Sequence, residues 1–459
     1  MKEYKLKSWQ EPGFNNLVTK FRHLLLYRMG LGKTVVTTKA LYCVEARTVL
    51  ILCPKNAIRV WEDHIKEWFD GLDIATGKVT EETETTFHIW RWRKKYNSAD
   101  KRQQLWRSYD KEAKVNVYIT TFASFIRDFE HFKFRYDCII IDEAKRIRSR
   151  KSKAFLSLKP LARKATYLWL LTGTPGRDPT HFWTMLHLLD PSYFSSYWKF
   201  VSAFMYTQKT SWGAMEVLGV KNDVAWKHLL SQKATILTKE DVGHTPTVRQ
   251  YLWVEMDDCQ EMLYQQMLED MMIVTEGKIL LASTSLSQVL RYRQLLVCPK
   301  ILDPSFSIGA AFEDFVENLK EGDINPHTVV FTPFTDAFPH FRKYLHDNGY
   351  RDVYELKGGL DPDEMQRRID EWRKYKGIML CSIMYATAFS LEPAQECYFI
   401  GREWDPEDNA QAEERLNRLT TPYLVNAYYY AYENTYDIEQ NSILDTKQRQ
   451  INYVMPTKK

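Results

Sequence analysis

The chain has 459 residues, 44% of them hydrophobic and 27% charged, with a formal net charge of +4 at pH 7, which favours two or three folded domains over a disordered or fibrous protein. No stretch approaches the roughly 20 apolar residues that span a bilayer, the N-terminus lacks a signal-peptide core, and the mild charge neither requires nor opposes a polyanionic partner. The seven cysteines form no Cys-x-x-Cys pair, so we expect reduced thiols in the cytoplasm, and neither disulfide bonds nor a zinc site.

A glycine-rich loop follows the first apolar segment of the chain. Leu24–Leu26 predicts a buried strand, and a helix is predicted to begin at Thr34. Glycines let backbone N–H groups approach phosphate oxygens, and the positive end of a helix dipole favours their charge. Lys33 would reach the β- and γ-phosphates of ATP, and the Thr34 hydroxyl would bind Mg²⁺. A basic turn that leads into a helix is the alternative. The candidate ATP-binding residues are Gln10, Met29, Gly30, Leu31, Gly32, Lys33 and Thr34.

Gln10 lies some twenty residues before this loop. A glutamine there could read the adenine edge, because its amide both donates and accepts hydrogen bonds. A surface position explains Gln10 equally well.

Apolar segments along the first half of the chain predict the strands of a parallel sheet. Most of their residues are aliphatic or β-branched, which is typical of strands buried on both faces. Ile58–Phe69 predicts a helix in which Trp61 belongs to the core. The predicted strands are Thr48–Pro54, Val115–Thr121, Cys138–Ile141 and Tyr167–Leu171.

Phe87–Arg107 interleaves basic and aromatic residues, as nucleic-acid surfaces do. An amphipathic helix with buried tryptophans explains the same pattern, and we favour the helix. Val115–Thr121 ends in Thr120 and Thr121, whose hydroxyls suit phosphate contacts.

Two carboxylates follow the predicted strand Cys138–Ile141. The carboxyl ends of parallel strands are where ligands bind in open α/β sheets. Asp142 would hold the Mg²⁺ that Thr34 also contacts, and Glu143 would orient and deprotonate the attacking water. A helix N-cap with an acidic first turn is the alternative, but together with the phosphate loop the catalytic interpretation is preferred.

Aromatic helices are predicted over His181–Tyr206, and after them the chain repeats the alternation of strands and helices. This repetition predicts a second parallel sheet. The predicted strands are Thr247–Met256, Thr328–Phe331, Gly377–Ser382 and Val425–Tyr432, and the predicted helices are Gln260–Met272, Phe338–Asn348, Met365–Tyr375 and one within 434–454.

A predicted helix after Trp404-Asp405-Pro406 carries Gln411, Arg415 and Arg418. Positions i, i+4 and i+7 lie on one helical face, so these side chains would point together across a cleft. An arginine supplied in this way stabilises charge on a transferring phosphoryl group. A solvated basic face balanced by neighbouring glutamates is the alternative.

The order of these segments resembles the SWI/SNF-like ATPases of helicase superfamily 2, in particular their compact phage and bacterial members. Gln411, Arg415 and Arg418 look like motif VI, which favours the arginine-donor interpretation. The other matching segments are Gly30-Leu31-Gly32-Lys33-Thr34 (motif I), Cys53-Pro54-Lys55 (Ia), Ile119-Thr120-Thr121 (Ib), Asp142-Glu143-Ala144-Lys145 (II) and Leu171-Thr172-Gly173-Thr174-Pro175 (III).

The resemblance implies an α/β fold of two tandem RecA-like lobes with a helical insertion between them. It places the first lobe at 1–185, the insertion and linker at 186–305, and the second lobe with its bracing helix at 306–459. Residues that couple nucleotide state to DNA would be Lys145, Thr172, Gly173, Thr174 and Gln411. Candidate DNA contacts are Lys55, Thr120, Thr121 and Ser382.

The sequence departs from the family pattern in four places. Tyr27-Arg28 replaces an acidic pair before motif I, and Lys145 replaces the usual histidine of motif II. Ala386 and Ala388 stand where motif V normally has glycines, with Ser390-Leu391 in place of Asn-Leu. Thr420-Thr421 follows the last arginine in place of Gly-Gln. The residues predicted to act in hydrolysis are intact, whereas the altered positions are those that in the family couple nucleotide state to DNA. We therefore expect hydrolysis itself and leave its coupling to movement open.

The resemblance predicts a Mg²⁺- and ATP-dependent motor that translocates on duplex or branched DNA, mainly through backbone contacts. We expect a bacterial or phage-infected host cytoplasm, remodelling of replication forks or recombination junctions, and partners in replication or recombination. One alternative is a translocase that displaces a DNA-bound protein such as RNA polymerase. Another is a non-catalytic clamp switched by ATP.

Overall fold

The structure is a computed structural model of the chain. It describes residues 6–70, 72–73, 78–79, 87–91, 96, 98–173, 176, 178–209, 213, 215–274, 279–282, 284–360, 362–385, 389–418 and 421–454. The chain forms two compact units, the first comprising residues 1–244 and 449–459 and the second residues 245–448. The predicted residues Thr174, Pro175, Ala386, Ala388 and Thr420 lie outside the described ranges.

The first unit is built on a seven-stranded parallel sheet with the strand order β11-β1-β8-β7-β2-β6-β5. Every strand predicted for this half is present. A short antiparallel pair, β9 and β10, lies outside the sheet, as does the pair β3 and β4. The strands are β1 Arg22–Tyr27, β2 Thr48–Cys53, β3 Leu72–Asp73, β4 Lys78–Val79, β5 Phe87–Arg91, β6 Val115–Thr121, β7 Cys138–Asp142, β8 Tyr167–Thr172, β9 Met205–Lys209, β10 Met215–Val220 and β11 Ala234–Leu237.

Four helices of the first unit, α4, α6, α8 and α9, begin at polar side-chain caps that the sequence supplies. Ser98, Ser152, Ser196 and Asn222 each accept a hydrogen bond from a backbone N–H of the first turn, which satisfies a donor that the helix itself leaves unpaired. The helices are α1 Glu11–Lys20, α2 Lys33–Cys43, α3 Ile58–Asp70, α4 Ala99–Arg107, α5 Phe122–Arg127, α6 Lys153–Lys164, α7 Phe182–Leu189, α8 Tyr197–Phe204 and α9 Asp223–Lys233.

The second unit contains a six-stranded parallel sheet with the order β12-β19-β18-β15-β17-β16. The predicted second sheet is therefore confirmed, and the two parallel sheets flanked by helices are RecA-like lobes. The strands are β12 Val248–Val254, β13 Met272–Val274, β14 Ile279–Leu281, β15 Val329–Thr332, β16 Val353–Leu356, β17 Ile378–Ser382, β18 Glu396–Ile400 and β19 Asn426–Tyr432. The helices are α10 Asp258–Asp270, α11 Ser285–Val297, α12 Ala310–Glu321, α13 Phe338–Asp347, α14 Pro362–Tyr375, α15 Pro406–Glu413 and α16 Tyr436–Val454.

The predicted insertion at 186–305 is distributed between the two units. Strand β11 joins the first sheet beside β1, whereas β12 joins the second sheet beside β19. The division of the chain at 185 and 305 therefore stays a prediction drawn from the family resemblance. Among the described residues, no helix is both long and apolar enough to cross a membrane, and all seven cysteines are free thiols.

The basic and aromatic segment 87–107 is not the single helix that we favoured. Phe87–Arg91 is an edge strand paired with β6, and among the described residues of this segment only Ala99–Arg107 is helical. Trp90 donates a hydrogen bond to Asn116 (3.0 Å) and stacks on His88 at a centroid distance of 4.1 Å. Aromatic residues at alternate positions suit a strand surface, and pairing with β6 outweighs the helical pattern.

Arg22, at the start of β1, ties two helices to the first sheet. Its guanidinium donates to the carbonyls of Leu188 (2.6 Å) and Leu189 (2.9 Å) at the end of α7. It also donates to the carbonyls of Ala162 and Ala165, both at 3.0 Å, at the end of α6. The last carbonyls of a helix have no partner within the helix, so one cation satisfies both helix ends.

We predict that Arg22→Met lowers the free energy of unfolding of the first unit by about 3 kcal/mol, because buried carbonyls lose a charged donor. Denaturant unfolding followed by tryptophan fluorescence measures this change. Arg107→Met, which removes an exposed arginine from α4, is the matched control and should cost less than about 0.5 kcal/mol. Equal stability of the two variants would contradict the role given to Arg22.

Candidate functional site

The glycine-rich loop connects β1 to the N-terminus of α2. Gly30 and Gly32 have φ angles of +79° and +81°, which residues with a Cβ adopt only at a cost. Gly32 is the N-cap of α2. Backbone N–H groups at the start of this 11-residue helix are therefore exposed by a loop that only glycine builds without strain, and such a loop suits phosphate.

The side chain of Gln10 supports this loop. Its side-chain Nε2 donates to the carbonyl of Leu31 (3.3 Å), and its Oε1 accepts from the backbone N–H of Lys7 (3.0 Å). A Cβ added to Gly32 would lie 2.2 Å from that Nε2. The buried Gln10 thus sets the position of the loop, a role that the sequence pattern did not indicate. The predicted contact with adenine stays a prediction.

Lys33 is the first residue of α2, and its ammonium donates to the carbonyl of Tyr27 (3.0 Å) at the end of β1. This contact folds the side chain back over the glycine loop. A lysine that bridges the strand end and the loop is placed to contact phosphates bound to the loop.

Asp142 is the last residue of β7 and is 9% exposed. Trp61 Nε1 of α3 donates to its Oδ2 (3.0 Å), and the backbone N–H of Glu143 donates to its Oδ1 (2.9 Å). Burial, followed by the Glu143 charge, raises the pKa of Asp142 to about 6, although Trp61 and Lys33 oppose the shift. The charged form is therefore costly in the free protein and would be favoured by a bound cation.

Glu143 adopts a left-handed conformation, with φ +53° and ψ +55°. Such a backbone costs of order 1 kcal/mol for a residue with a side chain, and it is concentrated at functional sites. It turns the chain abruptly at the end of β7 into the short 3₁₀ helix Ala144–Ile147. Lys145 lies in this turn and is half-buried.

The register of neighbouring strands brings these groups to one edge of the sheet. Leu26 of β1 is paired with Thr172 of β8, and Asp142 of β7 is paired with Leu171 of β8. A Cβ on Gly173 would lie 3.6 Å from the Tyr27 carbonyl and from Met29. The phosphate loop, the Asp142-Glu143 pair and the turn after β8 are therefore neighbours, with Thr172 fully buried between them.

In the second unit, Arg415 and Arg418 do not lie on the predicted helix. Helix α15 ends at Glu413, so the prediction that Arg415 and Arg418 share a helical face with Gln411 was wrong. Asn417 binds Thr245 and Thr247 through its side chain, at 3.0 Å each, and these bonds hold the chain in a turn beyond the helix.

Both arginines are nevertheless brought together. Arg415 Nη1 donates to the Phe389 carbonyl (3.4 Å), and Arg418 donates to the same oxygen. Arg415 is 4% exposed, and burial lowers the pKa of Arg418, which Glu392 and Glu414 oppose. Arg373 binds the carbonyls of Ser390 and Glu392 nearby. The loop that resembles motif V is thus bound by three arginines.

The four candidate DNA contacts differ in burial and in the partners of their side chains. Thr120 is fully buried in β6, so its hydroxyl does not fit the predicted phosphate contact. Thr121 caps α5 by accepting from Ser124 N (3.1 Å), and Ser382 is 2% exposed at the end of β17. Lys55 begins a 3₁₀ turn after β2, at the same sheet edge as the phosphate loop, and it remains a candidate.

The residues at this edge fit a Mg²⁺–nucleotide. A hard cation takes oxygen ligands, and Thr34 and Asp142 supply a hydroxyl and a carboxylate. Asp142 is buried with two N–H donors and a raised pKa, a state that a divalent cation would relieve. Trp61 is fully buried in the core, as predicted, and its indole N–H also contacts this site. Its indole N–H was the available signal, since a buried tryptophan N–H requires an acceptor.

Comparison with known proteins gives one family and a set of relatives. Residues 16–302 match the family described as the SNF2-related domain. The human Chromodomain-helicase-DNA-binding protein 7 is 23% identical over 481 residues, covering 95% of this chain and 15% of that protein. The ISWI chromatin-remodeling complex ATPase CHR17 of Arabidopsis thaliana is 24% identical over 463 residues, covering 94% of this chain and 40% of that protein. This chain thus spans less than half of either relative.

Among solved structures, the chain is similar to the "Sulfolobus solfataricus SWI2/SNF2 ATPase core in complex with dsDNA". The identity is 20% and the TM-score is 0.42. The match covers 99% of this chain and 93% of that one.

Two glycine substitutions separate loop strain from the Gln10 contact. Gly30→Ala and Gly32→Ala share the positive φ, but only at Gly32 does the new Cβ collide with another group. We predict that both weaken ATP binding and that Gly32→Ala costs about 1 kcal/mol more, the value of the displaced hydrogen bond. Calorimetric titration of ATP measures the affinities. In a Gln10→Ala background the two substitutions should have equal effects, and a persistent difference would exclude Gln10 as its cause.

Trp61→Phe tests the hydrogen bond to Asp142. Loss of the N–H removes a contact that lowers the Asp142 pKa, so that pKa should rise further above its usual range. Because Mg²⁺ requires the ionised carboxylate, Mg·ATP affinity should fall with decreasing pH in both proteins. The variant should bind up to about fivefold more weakly than wild type at and below pH 6, the factor that one hydrogen bond of about 1 kcal/mol gives, and equally at pH 8. Protonation of the nucleotide affects both proteins equally, so it cancels in the ratio of their Mg·ATP affinities. A ratio independent of pH would contradict the assignment.

Proposed function

The chain belongs to the SNF2-related domain family, and on that premise we propose that it is a DNA-dependent ATP hydrolase. The observation that carries the proposal is the C-terminal edge of the first sheet, where the glycine loop with Lys33 lies beside the buried Asp142 and the strained Glu143. Comparable sites in P-loop ATPases position phosphates and Mg²⁺ with a lysine, a hydroxyl and an acid.

Each residue at this edge has a distinct part in the proposed hydrolysis. Backbone N–H groups of the glycine loop and the Lys33 ammonium would bind the phosphates. Thr34 and Asp142 would hold Mg²⁺, which neutralises charge on the β- and γ-phosphates when bound. Glu143 would orient a water molecule and accept its proton as the oxygen attacks the γ-phosphorus. The bond to the bridging oxygen then breaks and yields ADP and inorganic phosphate.

Arg415 and Arg418 are the proposed arginine donors of the second unit. An arginine that contacts the γ-phosphoryl group stabilises the charge of the transition state. Their common bond to the Phe389 carbonyl supports the assignment, because it orients both guanidinium groups on one loop. In this proposal ATP binding recruits the pair and hydrolysis releases it, so the nucleotide controls the two lobes.

The proposed substrate of this cycle is DNA, which is moved stepwise. The relatives named above are a chromodomain-helicase-DNA-binding protein and a chromatin-remodeling ATPase, and these names support a DNA partner. Contacts would be mainly to the backbone, and binding would be tolerant of sequence and sensitive to salt. Remodelling of branched DNA at forks or junctions is the finer proposal. Displacement of a DNA-bound protein such as RNA polymerase is its competitor.

We predict that phosphate release is stimulated at least about tenfold by duplex or junction DNA. Glu143→Gln should reduce it by at least about a thousandfold at unchanged ATP affinity, because the carboxamide keeps the shape but accepts no proton. Arg415→Ala should lower kcat by at least about a hundredfold. A coupled phosphate assay without DNA, with single strands, with duplex and with a four-way junction measures these rates.

The same assay separates the alternatives. Preference for the junction over duplex of equal length supports branched-DNA remodelling, and equal stimulation supports a plain translocase. ATP binding without steady phosphate release in the presence of every DNA would contradict the proposal and favour an ATP-switched clamp.

A further inference from the structure

A basic segment follows the acidic pair of the nucleotide site. Residues 145–153 read Lys-Arg-Ile-Arg-Ser-Arg-Lys-Ser-Lys and contain no acid. The side chains of five of its cations are exposed, namely Arg146, Arg148, Arg150, Lys151 and Lys153. Within the part of the chain that the structure describes, none of these five forms an ion pair with a carboxylate. By contrast, Arg102 and Arg127 of the same unit are held by Asp128 at 3.1 and 3.2 Å.

The segment ends at the N-terminus of helix α6, where the helix dipole is positive like the side chains of the segment. Ser152 caps the 12-residue helix α6 by accepting from Phe155 N (3.2 Å). The first turn of α6 contains no acidic residue and begins with Lys153. Acidic residues are favoured at this end of a helix, and cations are disfavoured there. Lys151 and Lys153 therefore work against the stability of α6, and a bound anion would reverse that effect.

Aromatic rings hold the centre of the segment. The Arg150 guanidinium lies 4.5 Å from the ring centroid of Tyr197 and 5.5 Å from that of Trp198. Trp198 is 52% exposed although it lies within α8. An arginine stacked on aromatic rings is pre-oriented and keeps its charge available to an anion. Accessible aromatic rings beside cations are the combination that nucleic-acid surfaces use, and here Trp198 is exposed and Tyr197 half-buried.

We propose that residues 146–153, together with Tyr197 and Trp198, form a second nucleic-acid-binding surface, the basic–aromatic patch. The inference rests on the proposed function, because it assigns to the first unit a contact with the phosphate backbone of the DNA on which the motor acts. It adds a surface formed by none of the predicted DNA contacts Lys55, Thr120, Thr121 and Ser382. The patch binds through charge and stacking, so it does not select sequence.

Charge reversal at three positions tests the patch without disturbing the nucleotide site. Arg148→Glu, Lys151→Glu and Lys153→Glu are combined, and Arg146 is kept because its charge acts on Cys53 beside Asp142. Carboxylates near the N-terminus of α6 favour the helix, so the triple variant should unfold at no lower temperature than wild type. The control reverses three exposed cations elsewhere in the first unit, Lys111, Lys164 and Lys227, with the same change in net charge.

Fluorescence anisotropy of labelled duplex and single-stranded DNA, from 0.05 to about 0.3 M salt, gives the affinity and its salt dependence. At 0.1 M salt the triple variant should bind at least about tenfold more weakly, and its log–log salt slope should fall in magnitude by about 2 to 3, one for each lost phosphate contact. Its ATPase rate without DNA should equal that of wild type, and the control should stay within about twofold in affinity.

The outcomes distinguish this inference from the proposed function. Wild-type affinity and slope in the triple variant would overturn the patch and leave the DNA-dependent ATPase intact. Equal losses in the triple variant and in the control would also overturn it, because net charge alone would then explain the effect. Absence of DNA binding and of stimulation in wild type would overturn both. A greater loss for single strands than for duplex in Trp198→Ala would support base stacking as part of the patch.

Discussion

The parallel register of β1, β8 and β7 is the constraint on which the rest of the site depends. Leu26 lies beside Thr172, and Leu171 lies beside Asp142, so the three strands end at one edge. Three segments far apart in sequence therefore deliver a phosphate loop, a polar turn and two carboxylates to one place. A one-residue slip in β7 would turn Asp142 to the other face of the sheet. Close packing on both faces of these strands disfavours such a slip, because it would move every side chain into a space shaped for another.

The same edge concentrates groups that are costly to bury. Burial and the neighbouring Glu143 charge both disfavour the ionised form of Asp142. Glu143 itself adopts a strained backbone conformation. The Lys33 ammonium and the Trp61 N–H offset part of this cost. A bound cation and a bound phosphate chain would both lower this cost, so the arrangement favours the binding of both. In the second unit, three arginines that bind the carbonyls of one loop show a comparable concentration of charge.

Much of the fold could be predicted from the sequence, because buried parallel strands are continuous apolar runs and their order follows from the alternation with helices. The phosphate loop and the acidic pair were predictable for the same reason, since each follows such a run directly. Other features depend on contacts between distant residues. Gln10 supports the loop through the Leu31 carbonyl, and Trp61 of α3 donates a hydrogen bond to Asp142 at the end of β7. Helix α15 ends before Arg415 because Asn417 binds the segment before β12, which no local pattern indicates.

A crystal structure with Mg²⁺ and ADP–beryllium fluoride, a mimic of ATP, would test whether this sheet edge is the nucleotide site. We predict that the fluoride group lies against the Lys33 ammonium and the N-terminus of α2, with Mg²⁺ held by the Thr34 hydroxyl and by the Asp142 carboxylate, either directly or through water. Trp61 should keep its hydrogen bond to Asp142. A nucleotide bound away from the glycine loop, or a Mg²⁺ ion without contact to Asp142, would show that this edge does not have the role given to it.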